Sequence, residues 1–137
     1  MTRDEIVARL RPILERRSLR LAVLFGSAAR EALRANSDLD VAILPASADM
    51  ALAEELALQA ALERVAGRTV DLVRLDRSSV LVRWRVAREG VPLLAEPARE
   101  WPRFVAQAGI EHGDFAPTYA SAAELFRRRL AAGSGSR

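Results

Sequence analysis

Short apolar runs that alternate with segments of helical periodicity are the feature that most constrains the fold of this sequence. The apolar runs have the length and composition of β-strands, and they lie at residues 19–25, 39–44, 69–75 and 91–95. Pro92 predicts that the last run forms an edge strand, because proline lacks the N–H that a central strand donates. The order α-β-α-β-α-β-α-β-α predicts an α/β protein in which a sheet packs against helices.

The helical segments are marked by capping residues as well as by apolar spacing. Thr2 and Glu5 form a capping-box pattern ahead of the first segment, and Gly67 and Gly90 follow the third and the fourth. The predicted helices are residues 3–17, residues 28–33, a helix capped by Ser47 that ends near residue 65, a helix capped by Ser78 or Ser79 that ends near residue 89, and two pieces from residue 98 that break near Gly113. We expect a core domain at residues 1–96, a helical extension at 97–131 and a flexible tail at 132–137.

Composition excludes several classes of protein and of site. The chain has 137 residues, of which 50% are hydrophobic and 28% charged, so it can form one core and is too apolar for intrinsic disorder. It has no cysteine and a single histidine, His112. Disulfides, thiolate zinc sites, cysteine nucleophiles and multi-histidine metal sites are therefore excluded. The sequence around His112 is typical of a loop, and we expect this side chain to be exposed.

The charge balance is basic but does not indicate nucleic-acid binding. All 21 basic residues are arginines, against 18 acidic residues, which gives a net charge of +3. Because guanidinium groups stay charged to very high pH, this small excess raises the isoelectric point to about 10.8 without a strong positive field. No apolar run approaches the length of a membrane span, and the N-terminus has no signal-peptide core. We therefore expect a cytoplasmic protein with neither a membrane nor a direct nucleic-acid partner.

Gly26 and Ser27 follow the first predicted strand directly and precede a short predicted helix. Glycine has no Cβ, so the backbone N–H groups there can approach a ligand closely. The helix N-terminus adds free donors and a positive dipole end, Ser27 adds a hydroxyl, and Arg30 lies one turn further on. These features favour an anion site suited to a triphosphate, but a Gly-Ser pair is also a common turn with an N-cap.

Asp38 and Asp40 flank Leu39 at the start of the second predicted strand. Residues i and i+2 of a strand project to the same face, so both carboxylates point the same way. Mg²⁺ prefers carboxylate oxygens as ligands, and a divalent cation relieves the repulsion between two carboxylates. The alternative is a solvated acidic turn.

Asp71 lies within the third predicted strand, among residues that favour strands. An ion pair with Arg68 or Arg74 would account for it, although an exposed pair contributes only about 0–1 kcal/mol. If this strand neighbours the second one, three carboxylates converge. Such a cluster can hold two metal ions about 3.5–4 Å apart for an in-line phosphoryl displacement. Asp71 would then accept the proton of the attacking hydroxyl.

The pattern of Gly26-Ser27, ten residues, and Asp38-Leu39-Asp40 resembles the signature of the polymerase-β-type nucleotidyltransferase superfamily. The short length, Arg30 and the Ser37-Asp38 pair are similar to its minimal nucleotidyltransferase (MNT) branch. That branch includes antitoxins paired with HEPN-domain ribonuclease toxins. The resemblance covers roughly residues 1–95. It implies the nucleotidyltransferase fold, of the α/β (α+β) class, with a mixed sheet of about three to four strands flanked by helices and a helical C-terminal segment.

The resemblance also implies an activity, a cofactor and a partner. Antitoxins of this branch transfer AMP from ATP to a tyrosine of the toxin, in pairs classed as type VII, and so silence its ribonuclease activity. The catalytic and Mg²⁺-ligating residues that it implies, with two ions expected, are Asp38, Asp40 and Asp71. The residues that it implies for holding the triphosphate of ATP are Gly26, Ser27 and Arg30. The implied partner is a HEPN-type toxin encoded nearby, joined with this chain in a hetero-oligomer.

Two other functions remain open at this point. Glu31 departs from the glycine that many relatives carry after the arginine, and a carboxylate there disfavours a bound triphosphate. An antitoxin that neutralises its toxin by binding, with weak or no turnover, is therefore an alternative. Transfer of AMP to a small molecule such as an aminoglycoside is a further alternative, although such enzymes generally use an additional domain for the acceptor and this chain has little spare length.

Overall fold

The computed structural model describes residues 1–29, 37–113 and Arg127, and within them a four-stranded sheet is flanked by four helices. The strands are β1 (Leu19–Phe25), β2 (Leu39–Pro45), β3 (Val70–Arg74) and β4 (Val91–Ala95). The helices are α1 (Arg3–Glu15), α2 (Leu52–Ala66), α3 (Val80–Glu89) and α4 (Glu100–Gly113). The predicted fold class, a sheet packed against helices, is confirmed.

The sheet is mixed, with the strand order β3-β2-β1-β4. Strand β1 is antiparallel to both β2 and β4, whereas β2 and β3 run parallel. A parallel pair requires a crossover connection, and α2 supplies it. Strand β4 lies at an edge, as Pro92 predicts. The parallel pair is the part of the topology that matters most for the site described below.

Each face of the sheet packs against one pair of helices. Side chains at odd positions of β2, such as Leu39 and Val41, join the core beneath α1 and α2. Ala42 belongs to the opposite cluster, which contains Trp101 and Phe104 of α4. Because strand side chains alternate between faces, the even positions of β2 lie on the α3/α4 side of the sheet.

The observed helix ends correct one predicted cap and confirm several others, among them Thr2, whose hydroxyl accepts the N–H of Glu5 at 3.2 Å. Helix α2 begins at Leu52 rather than after Ser47, whose hydroxyl instead accepts the N–H of Asp49 at 3.2 Å in a preceding turn. Gly67 ends α2 with φ +69°, the left-handed conformation expected of a terminating glycine. The side chain of Ser79 caps α3 by accepting the N–H of Val82 at 3.2 Å.

Gly90 follows α3 for a different reason from the predicted one. Its φ is −75°, so it does not need left-handed freedom. A Cβ at this position would overlap the side chain of Val23 and the carbonyl oxygen of Val86. A glycine is suited to this position because the connection between α3 and β4 packs closely against the sheet and leaves no room for a Cβ.

Two predicted helical regions extend beyond the described residues. Gly26–Ala28 forms a 3₁₀ turn, whereas most of the helix predicted at 28–33 lies outside the described part of the chain. Helix α4 spans Glu100–Gly113 and includes His112, so the expectation of a loop at His112 is wrong. The break predicted near Gly113 borders residues outside the described part of the chain and stays a prediction. The segment boundaries at residues 96/97 and 131/132 remain predictions.

Candidate functional site

Asp40 and Asp71 occupy opposed positions on the parallel strands β2 and β3. Directly paired residues of neighbouring strands project to the same face, which here is the α3/α4 side of the sheet. Asp38 precedes β2 by one residue, and the N–H of Leu39 donates to the carbonyl of Thr69 at 2.9 Å, so the ladder already holds the chain there. The neighbouring strands on which the three-carboxylate hypothesis depends are therefore observed.

The carboxyl group of Asp40 lies in the least solvated position of the three. Asp40 is half-buried, whereas Asp38 and Asp71 are exposed. Burial raises the pKa of Asp40, and the negative charges of Asp71 and Asp38 raise it further, while the positive charge of Arg85 opposes the shift. The site thus concentrates negative charge around one partly desolvated carboxylate.

The donor set suits a hard divalent cation. Carboxylate oxygens from Asp38, Asp40 and Asp71 are the ligands that Mg²⁺ prefers, and a cation would offset the repulsion that raises the pKa of Asp40. Among residues 1–29 and 37–113, no three His, Cys, Asp or Glu side chains are already gathered closely enough to hold a metal ion. Asp38 and Asp71 are exposed, and Mg²⁺ usually keeps several water ligands when a protein binds it. The residue types and their register fit the ion.

Gly26 brings the turn after β1 against the carboxylate of Asp40. It has φ +74°, which disfavours any residue with a Cβ. A Cβ built on Gly26 would overlap Oδ2 of Asp40 and lie 3.2 Å from its Cγ. The glycine was predicted to admit a ligand to the backbone, and the structure adds that it makes room for this carboxylate.

The other residues predicted to hold a triphosphate are only partly within the described chain. Ser27 is half-buried in the 3₁₀ turn next to Gly26. The turn is fastened to α1, because Nη1 of Arg3 donates to the carbonyl of Ala29 at 3.0 Å. Arg30 and Glu31 lie outside the described residues.

Arg85 of α3 belongs to the site and was not among the predicted residues. Its guanidinium carbon lies 5.6 Å from the ring centroid of Phe25, which is the register partner of Asp40 on β1. Its Nε donates to Oε2 of Glu89 at 3.1 Å, one helical turn further on. The i, i+4 spacing of Arg85 and Glu89 is visible in the sequence and indicates an ion pair on one helix face. The sequence does not indicate on which face of the sheet α3 packs, and this packing brings Arg85 to the site.

The proposed ion pair between Asp71 and Arg74 is wrong. Arg74 lies three residues from Asp71 along β3 and therefore on the opposite face of the sheet. Its guanidinium is buried beneath the start of α2, where it pairs with Asp76 at 2.7 Å and approaches Glu55 at 3.6 Å. Arg68 donates to the carbonyl of Ser37 at 3.4 Å. The presence of Asp71 is thus not explained by Arg74.

Surface cavities lie both away from this arrangement and beside it. One, of about 440 Å³, lies at the other end of β1 and β2 and is lined by Arg16, Arg17 and Pro45 among others. The second, of about 500 Å³, lies along α3 and includes Arg85. The carboxylates line neither cavity, but Arg85 connects the second one to them electrostatically.

Comparison with known families identifies one match, to the family described as polymerase beta, nucleotidyltransferase, over residues 8–98. This range contains every described residue of the site. No curated protein matches the sequence. None of the helices in the described part of the chain is long and apolar enough to cross a membrane.

Several solved structures are similar to this chain. A toxin–antitoxin structure with AMP-PNP is 26% identical, with a TM-score of 0.63 over 79% of this chain and 84% of that one. A protein described as a minimal nucleotidyltransferase is 30% identical, with a TM-score of 0.59 over 67% of this chain and 96% of that one. An MNT antitoxin in complex with the tri-AMPylated HEPN toxin of Shewanella oneidensis is 23% identical, with a TM-score of 0.61 over 77% and 82% of the two chains, a likeness that shows the fold alone.

Proposed function

The chain belongs to the polymerase beta nucleotidyltransferase family, and we propose that it is a Mg²⁺-dependent protein adenylyltransferase that acts as an antitoxin. It would transfer AMP from ATP to a tyrosine of a HEPN-type ribonuclease toxin encoded nearby, in a type VII toxin–antitoxin pair. The observation that carries the proposal is the direct pairing of Asp40 with Asp71 on neighbouring strands. Asp40 is two residues from Asp38 in the sequence, and its carboxylate lies against Gly26.

The structural relatives support the choice of nucleotide and of partner. The toxin–antitoxin structure at 26% identity holds AMP-PNP, an analogue of ATP, and both chains are covered over more than three quarters of their length.

The reaction is an in-line displacement at the α-phosphorus of ATP. The acceptor oxygen forms a bond to this phosphorus while the bond to the oxygen bridging the α- and β-phosphates breaks, and pyrophosphate leaves with that bonding pair. Asp71 accepts the proton from the attacking hydroxyl. Bound magnesium ions, held by Asp38, Asp40 and Asp71, would neutralise charge on the triphosphate and on the attacking oxygen.

The residues around the carboxylates have supporting roles. The backbone of Gly26 and Ser27 would cradle the triphosphate, since a residue without Cβ leaves N–H groups accessible. Arg30 is placed by the sequence pattern to add a guanidinium to the same phosphates. Arg85 keeps positive charge beside Asp40 and so favours its ionised form, which is the form that binds a metal ion.

The test is AMP transfer to the product of the adjacent open reading frame. Both proteins are incubated with ATP labelled at the α-phosphate and with Mg²⁺, and label on the partner is measured on a denaturing gel. We expect labelling by the wild type and its loss, by at least about 100-fold, in the variant Asp38→Asn/Asp40→Asn. Asp49→Asn is the matched control, because Asp49 is an exposed aspartate at the other end of the sheet. Folded wild-type protein that transfers no AMP to this partner would contradict the proposal.

The same variant separates the proposal from an antitoxin that acts by binding alone. A steric antitoxin keeps neutralising its toxin after both aspartates are replaced, because the isosteric amides preserve the surface. An adenylyltransferase loses neutralisation together with AMP transfer. Growth of cells that co-express toxin and antitoxin variant is therefore a second readout, independent of the labelled nucleotide.

A further inference from the structure

A groove of about 500 Å³ runs along the outer side of α3 and meets the end of α4. The residues that line it include Leu81, Trp84, Arg85, Arg88, Glu89 and His112. Four of them, at positions 81, 84, 85 and 88, have the i, i+3, i+4, i+7 spacing of a single helix face. This face, which we call the α3 stripe, is about 10 Å long at 1.5 Å per residue.

One end of the α3 stripe is apolar. The side chain of Leu81 is 65% exposed. Trp84 is half-buried and stacks on His112, with ring centroids 4.8 Å apart and an interplanar angle of 13°. An exposed leucine is common by itself, but here it adjoins an aromatic pair at the rim of a groove. This end is suited to receive an apolar side chain.

The other end of the α3 stripe is positively charged. Arg85 is held by Glu89, which is the acidic residue of the groove and is engaged in that ion pair. Arg88 is exposed in the last turn of α3, and no ion pair or hydrogen bond joins it to another residue of the described chain. The charge of this end therefore favours carboxylates as a counterpart.

The α3 stripe is continuous with the carboxylate site. Arg85 lines the groove and also places its positive charge near Asp40. Phe25, over which the guanidinium of Arg85 lies, is the strand residue beside Asp40. A polypeptide bound in the groove would thus pass next to the proposed site of AMP transfer.

We propose that the α3 stripe docks the acceptor protein, through a segment in which acidic residues flank the acceptor tyrosine and an apolar side chain reaches Leu81 and Trp84. This inference rests on the proposed function, because it names the surface that delivers the acceptor to that same site. It assigns Arg88 and Leu81 to acceptor binding and gives them no part in nucleotide binding or in chemistry. Their replacement is therefore expected to weaken acceptor binding without slowing the transfer step.

Binding is measured first, with the full chain and without ATP. The probes are two fluorescein-labelled peptides, each with one tyrosine and one leucine, flanked in one peptide by glutamates and in the other by lysines. We expect the acidic peptide to bind at least about tenfold more tightly in fluorescence anisotropy at low salt. Equal binding of the two peptides, or tighter binding of the basic one, would overturn the proposal.

Matched variants locate the binding surface. Arg88→Glu should weaken binding of the acidic peptide about tenfold, whereas Arg64→Glu should change it less than twofold. Arg64 is a suitable control because it is also an exposed arginine in the last turn of a helix, on the opposite side of the sheet. Leu81→Ala is compared in the same way with Leu52→Ala, since the two leucines are 65% and 67% exposed. Equal effects within either pair would contradict the assignment of the groove.

A kinetic measurement separates this inference from the proposed function. With the product of the adjacent open reading frame as acceptor, Arg88→Glu should raise the KM for that protein about tenfold and leave kcat within about twofold. AMP transfer with an unchanged KM would contradict the docking surface and leave the adenylyltransferase standing. Groove-dependent peptide binding without any transfer would support the surface and contradict the adenylyltransferase. Circular dichroism spectra matching the wild type establish that each variant is folded.

Discussion

Asp40 and Asp71 are paired across two parallel strands, where like charges directly opposite each other destabilise a sheet. Asp40 is half-buried, so solvent does not fully screen this repulsion, and the fold retains it. A local arrangement that costs stability, in a chain of this family, is typical of residues kept for their chemistry. The consequences of this pairing can be measured without knowing the acceptor.

The first prediction concerns the stability of Asp40→Asn. Because the folded-state pKa of Asp40 is raised, the folded chain binds more protons than the unfolded chain as pH rises above the ordinary carboxyl pKa. The stability contributed by protonated Asp40 is complete at pH values below the unfolded pKa and is lost as pH rises through the folded pKa. We expect the variant to be more stable than the wild type at pH 7, by no more than about 1 kcal/mol given partial solvent screening.

Urea denaturation between pH 3.5 and pH 8 tests this sign. The difference in free energy of unfolding between the variant and the wild type should shrink as pH falls. The reason is that protonated Asp40 in the wild type is then neutral, like asparagine in the variant. Asp49→Asn, at an exposed position away from the site, should show no such difference. A variant that is less stable at pH 7, or a difference that grows toward low pH, would contradict the electrostatic account.

The second prediction concerns stabilisation by Mg²⁺. A ligand that binds only the folded state raises stability by about 1.4 kcal/mol for each tenfold excess over its Kd. Millimolar Mg²⁺ with AMP-PNP should therefore raise the Tm of the wild type, and Asp40→Asn and Asp71→Asn should lose most of this increase. Asp49→Asn should keep it. Retention of the increase in both site variants would show that these carboxylates do not hold the metal.

The third prediction compares two glycines with similar backbone conformations. Gly26 and Gly67 have φ values of +74° and +69°, so alanine at either position incurs a backbone cost of about 1 kcal/mol. Only Gly26 has a neighbour in the way, because its Cβ would overlap the carboxylate of Asp40, whereas nothing lies within 4 Å of a Cβ at Gly67. Gly26→Ala should therefore destabilise the chain by about 2–3 kcal/mol and abolish AMP transfer, and Gly67→Ala should cost about 1 kcal/mol and keep transfer. Equal losses of stability would exclude the steric contribution.

The sequence predicted the strands and their core-facing positions well because local patterns determine them. Strand β1 was predicted with its observed bounds, since Ser18 and Gly26 enclose a continuous apolar run. The edge position of β4 followed from Pro92. The start of α2 was wrong by several residues, because Ser47 forms a turn instead of a cap and no local signal distinguishes these two uses of a serine.

The composition of the site was harder to predict, because it depends on long-range packing. The sequence pattern selected Asp38, Asp40 and Asp71, but their proximity depends on which strands are neighbours, which only the topology determines. Arg85 was missed because its contact with Phe25 arises from the position of α3 across the sheet. Long-range packing of this kind leaves no periodic signal in a single sequence.

The last prediction separates Arg74 from the site, although it lies on the same strand as Asp71. Arg74 is buried, donates to the carbonyls of Met50 and Ala48 and pairs with Asp76, so its replacement by methionine should destabilise the chain by about 2–3 kcal/mol. The hydrogen bond from Arg74 lowers the pKa of Asp76, and the stability that this provides is present above the unfolded pKa and lost as pH falls through the folded pKa. Arg74→Met should therefore show a shallower loss of stability in acid than the wild type, in urea denaturation from pH 7 down to pH 2.

Because Arg74 and Asp71 lie on opposite faces of the sheet, kcat for AMP transfer by Arg74→Met at low temperature should stay within about twofold of the wild type. A loss of kcat comparable with that of Asp71→Asn, in folded protein, would show that the two faces of β3 are coupled.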